Sequence, residues 1–176
     1  VTLDAFWIDR TEVTNAQFAA FAVRTGRRTT AEIEGGGYTV ANNEWTYTEG
    51  ADWQHPQGPA SNLDGLSQHP VVLVSWDDAA AFCEWTGSRL PTEVQWEYAA
   101  RGPESPVYPW DDAFDGEKLN YCDRNCPLDW ADQNVDDGYE FTAPVGTYSE
   151  GARWVGGLGM AGDVWGGGKG GGGRGG

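Results

Sequence analysis

The segment His69-Pro-Val-Val-Leu-Val-Ser-Trp-Asp-Asp-Ala79 runs closely into Gly87-Ser-Arg-Leu-Pro-Thr-Glu-Val-Gln-Trp-Glu-Tyr-Ala-Ala-Arg101. Together they constrain the chain more than any other stretch. Val71 to Val74 is a short apolar run that predicts a buried strand. Ser75 then has the chemistry of a helix N-cap, and Asp77 and Asp78 fall in the first turn, where the macrodipole favours negative charge. Gly87 supplies a stop. Thr92 predicts the next cap, with Gln95 three residues on, and Gly102 closes that helix. One strand and two aromatic-rich helices are therefore written into about thirty residues.

The same grammar recurs upstream. Phe6-Trp-Ile8 predicts a short strand. Thr14-Asn-Ala-Gln17 has the form of a capping box, Phe18, Phe21 and Ala22 follow at helical spacing, and Gly26 ends the helix. Residues 27–68 mix Gly, Asn, Asp and Gln with scattered Trp and Tyr, which predicts a long ordered loop region with short strands. After Tyr108-Pro-Trp110 the chain shows turn chemistry, with Ala143-Pro-Val145 the clearest strand-like run. The expected class is α+β, rich in irregular structure.

Composition narrows the function. The 176 residues suit one domain with a real core, and ten Trp predict dense aromatic packing, with Trp and Tyr serving as core more than as ligand platform. A net charge of −16 excludes a nucleic-acid-binding face and fits cation binding or solubility. No apolar run reaches the roughly 18 to 20 residues of a membrane span. With Val1 first and Met160 the only methionine, the expectation is an N-terminus that lies upstream. The compartment is open, with an extracytoplasmic one favoured. The expected division is a domain over residues 1–165, its C-terminal part missing, and a Gly-rich tail over 166–176. That tail is disordered, or its glycines stand for unassigned residues.

Cys83 reads as a buried structural thiol on a helix. Cys122 and Cys126, in Tyr-Cys-Asp-Arg-Asn-Cys-Pro, can pair with each other, bind a metal or stay reduced; no second Cys pair or nearby His supports zinc. Glu84, Glu93 and Glu97 read as solvated helix carboxylates. No phosphate-binding loop is present, because no Gly-Lys-Ser/Thr follows a strand.

Several motifs in order resemble the formylglycine-generating enzyme (sulfatase-modifying factor) family. They are Phe6-Trp-Ile-Asp-Arg-Thr-Glu-Val-Thr-Asn-Ala-Gln-Phe18, His69 to Ala79, Arg89 to Gly102, Tyr108-Pro-Trp110, Thr142-Ala-Pro-Val-Gly146 and Met160-Ala-Gly-Asp-Val-Trp165. The resemblance implies a variant of the C-type lectin fold and, for the function, oxidation of a sulfatase cysteine to formylglycine with copper and oxygen. It also implies a protein or peptide partner. The alternative it carries is a non-catalytic, calcium-stabilised lectin-like domain that binds a ligand or protein. A first calcium site is implied at Asn120, Tyr121, Asp137 and Tyr139, a set of hard oxygen donors with Gly138 to turn the loop. A weak second site is implied at the carbonyls of Gly162 and Val164, because Gly159 and Gly166 stand where the family has side-chain donors. Copper is expected only if the family's C-terminal cysteines exist, since soft thiolates suit it and Cys122 and Cys126 lie too early. The catalytic residues are therefore left unknown. Iron is set aside, because only His55 and His69 occur.

Overall fold

The computed structural model describes residues 2–151, 156–162 and 164. Four helices and one hairpin supply its regular structure. They are α1 (Asn15–Thr25), α2 (Thr30–Glu34), β1 (Gly36–Ala41), β2 (Glu44–Glu49), α3 (Trp76–Thr86) and α4 (Glu93–Arg101). The rest is turns and irregular chain, with a short 3-10 turn at Ser149–Gly151. This mixture of few helices, one antiparallel pair and long ordered loops matches the expected irregular α+β character.

The predicted caps form. Thr14, Ser75 and Thr92 each accept the backbone N–H of the residue three places on, and that residue's side chain returns a bond to the cap's own N–H. Gly26 and Gly87 end their helices in the left-handed conformation that lacks a Cβ penalty. A fourth reciprocal box, Thr29 with Glu32, starts α2, a helix that the loop-like composition of 27–68 concealed. The hairpin lies in that same stretch, with Tyr38 opposite Tyr47 and Val40 opposite Trp45.

α1 and α3 bring the core together. Phe18, Phe21, Trp53 and Phe82 are buried as one cluster. Phe18 meets Phe21, Trp53 and Phe82 at ring distances of 5.3, 5.4 and 6.0 Å, and Phe21 meets Phe82 edge-on at 5.6 Å. Burying such rings accounts for much of the domain's apolar stabilisation, at roughly 25 cal/mol per Å². Trp53 and Trp110 are buried, whereas Trp7, Trp45, Trp76, Trp85 and Trp130 are exposed.

Three predicted strands are also corrected. Phe6–Ile8 has no ladder partner among the described residues, and Trp7 projects fully into solvent. Ala143–Val145 is not a strand, although Val145 N–H bonds Gln68 O at 2.8 Å. Val71–Val74 keeps one bond to Val13 O before Leu73 turns to φ 56°, a left-handed value that breaks extended pairing. The turn brings Leu73 onto Gly37, where an added β-carbon would sit 2.8 Å from Leu73 Cδ2. A tertiary contact thus overrides the local β-propensity of the run.

α2, α3 and Arg27 meet at Asp78, which has no exposed surface. Its carboxylate accepts bonds from Thr30 N–H at 2.9 Å, Ser75 N–H at 3.1 Å, Ser75 Oγ at 2.8 Å and Arg27 Nε at 3.2 Å. Burial alone would raise this carboxyl, but the bonds from Thr30, Ser75 and Arg27 outweigh it and hold the group below the usual range. A depressed folded pKa stabilises above the unfolded value of about 3.9, and that stability is lost as pH falls through the folded pKa. Asp78→Asn is expected to cost about 3 kcal/mol at pH 7. The gap between the two proteins should close as the pH is lowered below about 4, which urea denaturation at a series of pH values measures.

Candidate functional site

The loop from Leu119 to Phe141 gathers carboxylates that local sequence alone would push apart. Cys122 and Cys126 are joined as a disulfide, closing a small loop around Asp123. Of the alternatives left open for this pair, the structure has the bond between them. Asp123 is fully buried and accepts from Asn125 N–H at 2.8 Å, from Asn125 Nδ2 at 3.1 and 3.2 Å, and from Asp137 N–H. This is an Asx-type turn held shut by a covalent bond.

Asp137 lies beside it and is half-buried. Its Oδ1 accepts Tyr139 N–H at 2.9 Å and its Oδ2 accepts Tyr121 N–H at 3.2 Å. Desolvation, with the charge of Asp123 adding to it, pushes this carboxyl above the ordinary carboxylate range despite the two N–H bonds. Tyr121 donates its phenol proton to Asp132 Oδ2 at 2.8 Å. Burial, that bond and the neighbouring carboxylates push the phenol up to about 12. Asp132 is held low by Asn134 N–H, by Tyr121 and by the Asn134 side chain. Asn120 is buried and donates from Nδ2 to Phe141 O at 3.1 Å.

Residues singled out from sequence are thus brought together: Tyr121, Asp137 and Tyr139 share one carboxylate, and Asn120 adjoins them in the chain. Gly162 joins the same corner. It has φ 76°, and a β-carbon there would lie 2.1 Å from Asn120 O, so the glycine permits that close approach. Val164 lies on the wall of a wide cleft of about 1720 Å³ that also borders Asn120, Tyr121 and Tyr139. The donors around Asp137 are one carboxylate with amide and peptide groups. Among the described residues, no three His, Cys, Asp or Glu side chains form a metal-holding group.

Other expectations find their places. Cys83 is free and half-buried, and burial pushes its thiol up. His69 is buried with Nδ1 2.9 Å from Thr142 Oγ1, and burial holds its pKa down. His55 pairs with Asp52 at 3.0 Å. Gly166 and the rest of the Gly-rich tail lie outside the described residues. Two site carboxylates escaped the sequence reading: Asp123 and Asp132. The Asp-x-Asn turn between two cysteines was the available signal for Asp123, whereas nothing local marks the other.

The disulfide and Asp123 support each other, so removing the bond should loosen the whole loop. Closing a loop this short contributes about 2 kcal/mol in the chain-entropy account. The Cys122→Ser/Cys126→Ser double variant is expected to melt about 4 to 8 °C lower, as read by calorimetry. An unchanged melting temperature would contradict this role.

Comparison with known proteins agrees with the motif order. Residues 1–166 match the sulfatase-modifying factor enzyme 1-like domain. The chain is 35% identical over 188 residues to the formylglycine-generating enzyme of Mus musculus, covering 94% of this chain and 49% of that protein. It is 38% identical over 188 residues to the formylglycine-generating enzyme of Streptomyces coelicolor, covering 94% of this chain and 57% of that protein. It is also 35% identical over 166 residues to the inactive C-alpha-formylglycine-generating enzyme 2 of Bos taurus, covering 84% and 54%. The chain therefore spans about half the length of these curated relatives. On the match over residues 1–166 and on these identities, it belongs to the sulfatase-modifying factor family, that of the formylglycine-generating enzymes.

Proposed function

We propose that this chain is part of a formylglycine-generating protein of the family's lectin-like fold, oxidising a cysteine of a protein or peptide substrate to formylglycine, with a calcium site centred on Asp137. The observation that carries the reading is the wide cleft beside that loop, bordered by Val72, Leu73, Tyr139 and Phe141. A largely apolar-walled space of this size has room for a peptide segment.

The donor chemistry fits calcium. Asp137 carries a desolvated carboxylate beside the second carboxylate of Asp123, and a hard cation would relieve that crowding. Asn120, Tyr121, Asp137 and Tyr139 would hold it, supplying charge neutralisation and loop rigidity. Copper does not fit the described residues. Cys122 and Cys126 are spent in a disulfide, and Cys83 is a lone half-buried thiol, so no pair of thiolates is offered here. The same observation favours the second reading, a non-catalytic calcium-stabilised binding domain, and the family contains a protein named inactive. No helix among the described residues is long and apolar enough to cross a membrane.

Two measurements test the readings. Calcium at about 100 times its Kd should add about 2.7 kcal/mol of stability, a melting rise of roughly 5 to 10 °C. Asp137→Asn should abolish that rise. No calcium-dependent shift in the unsubstituted protein would overturn the calcium reading. Incubation of a Cys-x-Pro-x-Arg peptide with the protein and copper, followed by mass spectrometry, tests catalysis. Formylglycine supports the enzyme reading; peptide binding without conversion supports the binding domain.

A further inference from the structure

The turn of the hairpin holds a residue that the turn itself does not call for. Ala41 pairs with Glu44, so Asn42 and Asn43 alone reverse the chain, with φ 53° and 67°. A two-residue turn with both values positive takes glycine most readily at its second position. Asn43 stands there instead, and its side chain acts far from the turn. Its Nδ2 donates to Asp129 Oδ2 at 3.0 Å, and its Oδ1 accepts Asp129 N–H at 2.8 Å, across 86 residues. One amide thus both donates to and accepts from a single residue, which fixes orientation as well as distance.

Asp129 is itself firmly placed. It lies on the excursion from Cys126 to Asp132, and both ends of that excursion are fastened to Cys122. The disulfide holds one end, and the bond from Asp132 N–H to Cys122 O at 3.0 Å holds the other. Between them Ala131 N–H closes a turn on Leu128 O at 3.1 Å, with Ala131 buried.

The hairpin is fastened at its base by Gly50 N–H to Gly35 O at 2.9 Å and by Tyr47 Oη to Glu34 O at 3.1 Å. Among the described residues, its hydrogen bonds to the acidic loop all run through Asn43. Tyr38, Val40 and Trp45 lie on one face of the hairpin and border the wide cleft. Tyr121, Cys122 and Cys126 of the acidic loop border the same cleft. The Asn43–Asp129 contact therefore joins two parts of one cleft wall.

We propose that this contact is a clasp through which the disulfide loop positions the hairpin, so that the Cys122–Cys126 bond governs where Tyr38, Val40 and Trp45 stand at the cleft. Asn43 is the positioning residue. An aspartate in its place would set two carboxylates together in a chain of net charge −16, and glycine would keep the turn but lose the grip. The device needs neither a metal nor a particular occupant of the cleft, so it stands or falls apart from the functional reading above.

Hydrogen exchange followed by mass spectrometry gives the test, with the amides of α1 as the reference within each protein. Asn43→Gly should speed exchange of residues 40–45 about fivefold to tenfold relative to α1, as expected for losing two exposed hydrogen bonds. The Cys122→Ser/Cys126→Ser variant should also speed the hairpin relative to α1, and should add nothing in the Asn43→Gly background. Unchanged hairpin exchange in either variant overturns the proposal. So does a disulfide effect on the hairpin that is equal with and without the Asn43 side chain. Should the disulfide variant fail to fold, Asp129→Ala takes its place in a double-mutant cycle with Asn43→Gly. A double variant no faster than Asn43→Gly alone supports the clasp, and additive effects overturn it.

Discussion

Asp78 is fully buried in a chain of net charge −16, and what keeps it there is a set of N–H and O–H groups turned inward from two helix starts. Stripping water from a carboxylate is costly unless donors replace it. Here the donors are the first N–H groups of helices, which have no partner within the helix itself. One buried acid therefore completes the α3 cap, anchors the start of α2 and fixes Arg27. With so little sheet in the molecule, such polar nodes do the joining that strand ladders perform elsewhere.

The acidic loop applies the same device with a different outcome. Asp123 is saturated by Asn125 and by Asp137 N–H, and the disulfide holds that turn closed. Asp137 receives two backbone bonds yet stays raised, because it is desolvated beside another carboxylate. Glu12 receives no bond at all. The buried acids thus run from fully satisfied to wholly unsatisfied, and the unsatisfied end lies against the Gly159 turn.

How far the sequence could be read follows from the range of each interaction. Thr14, Ser75 and Thr92 were legible because a cap and its partner lie three residues apart. The Phe18 and Phe21 face was legible because helical spacing is local. Val71–Val74 misled, because Leu73 answers to Gly37 in the hairpin and not to its own neighbours. Asn120, Tyr121, Asp137 and Tyr139 came from family resemblance, since nothing local links residue 120 to residue 137. The approach of Glu12 to Gly159 was invisible because the two lie at opposite ends of the described chain.

The two ends of this described region are tied directly. Leu158 N–H bonds Arg10 O at 2.7 Å, and Arg10 Nε bonds Gly156 O at 3.2 Å across 146 residues. At translation rates of about 5–20 residues per second, the Arg10 segment would wait roughly 7 to 30 s for its partners to be made. During that time Phe6 and Ile8, half-buried in the fold, would be exposed apolar chain. Contacts of such long separation also close slowly, because loop entropy is lost before any bond forms. The Arg10 segment is therefore exposed longest while this region is being made, since its partners come last.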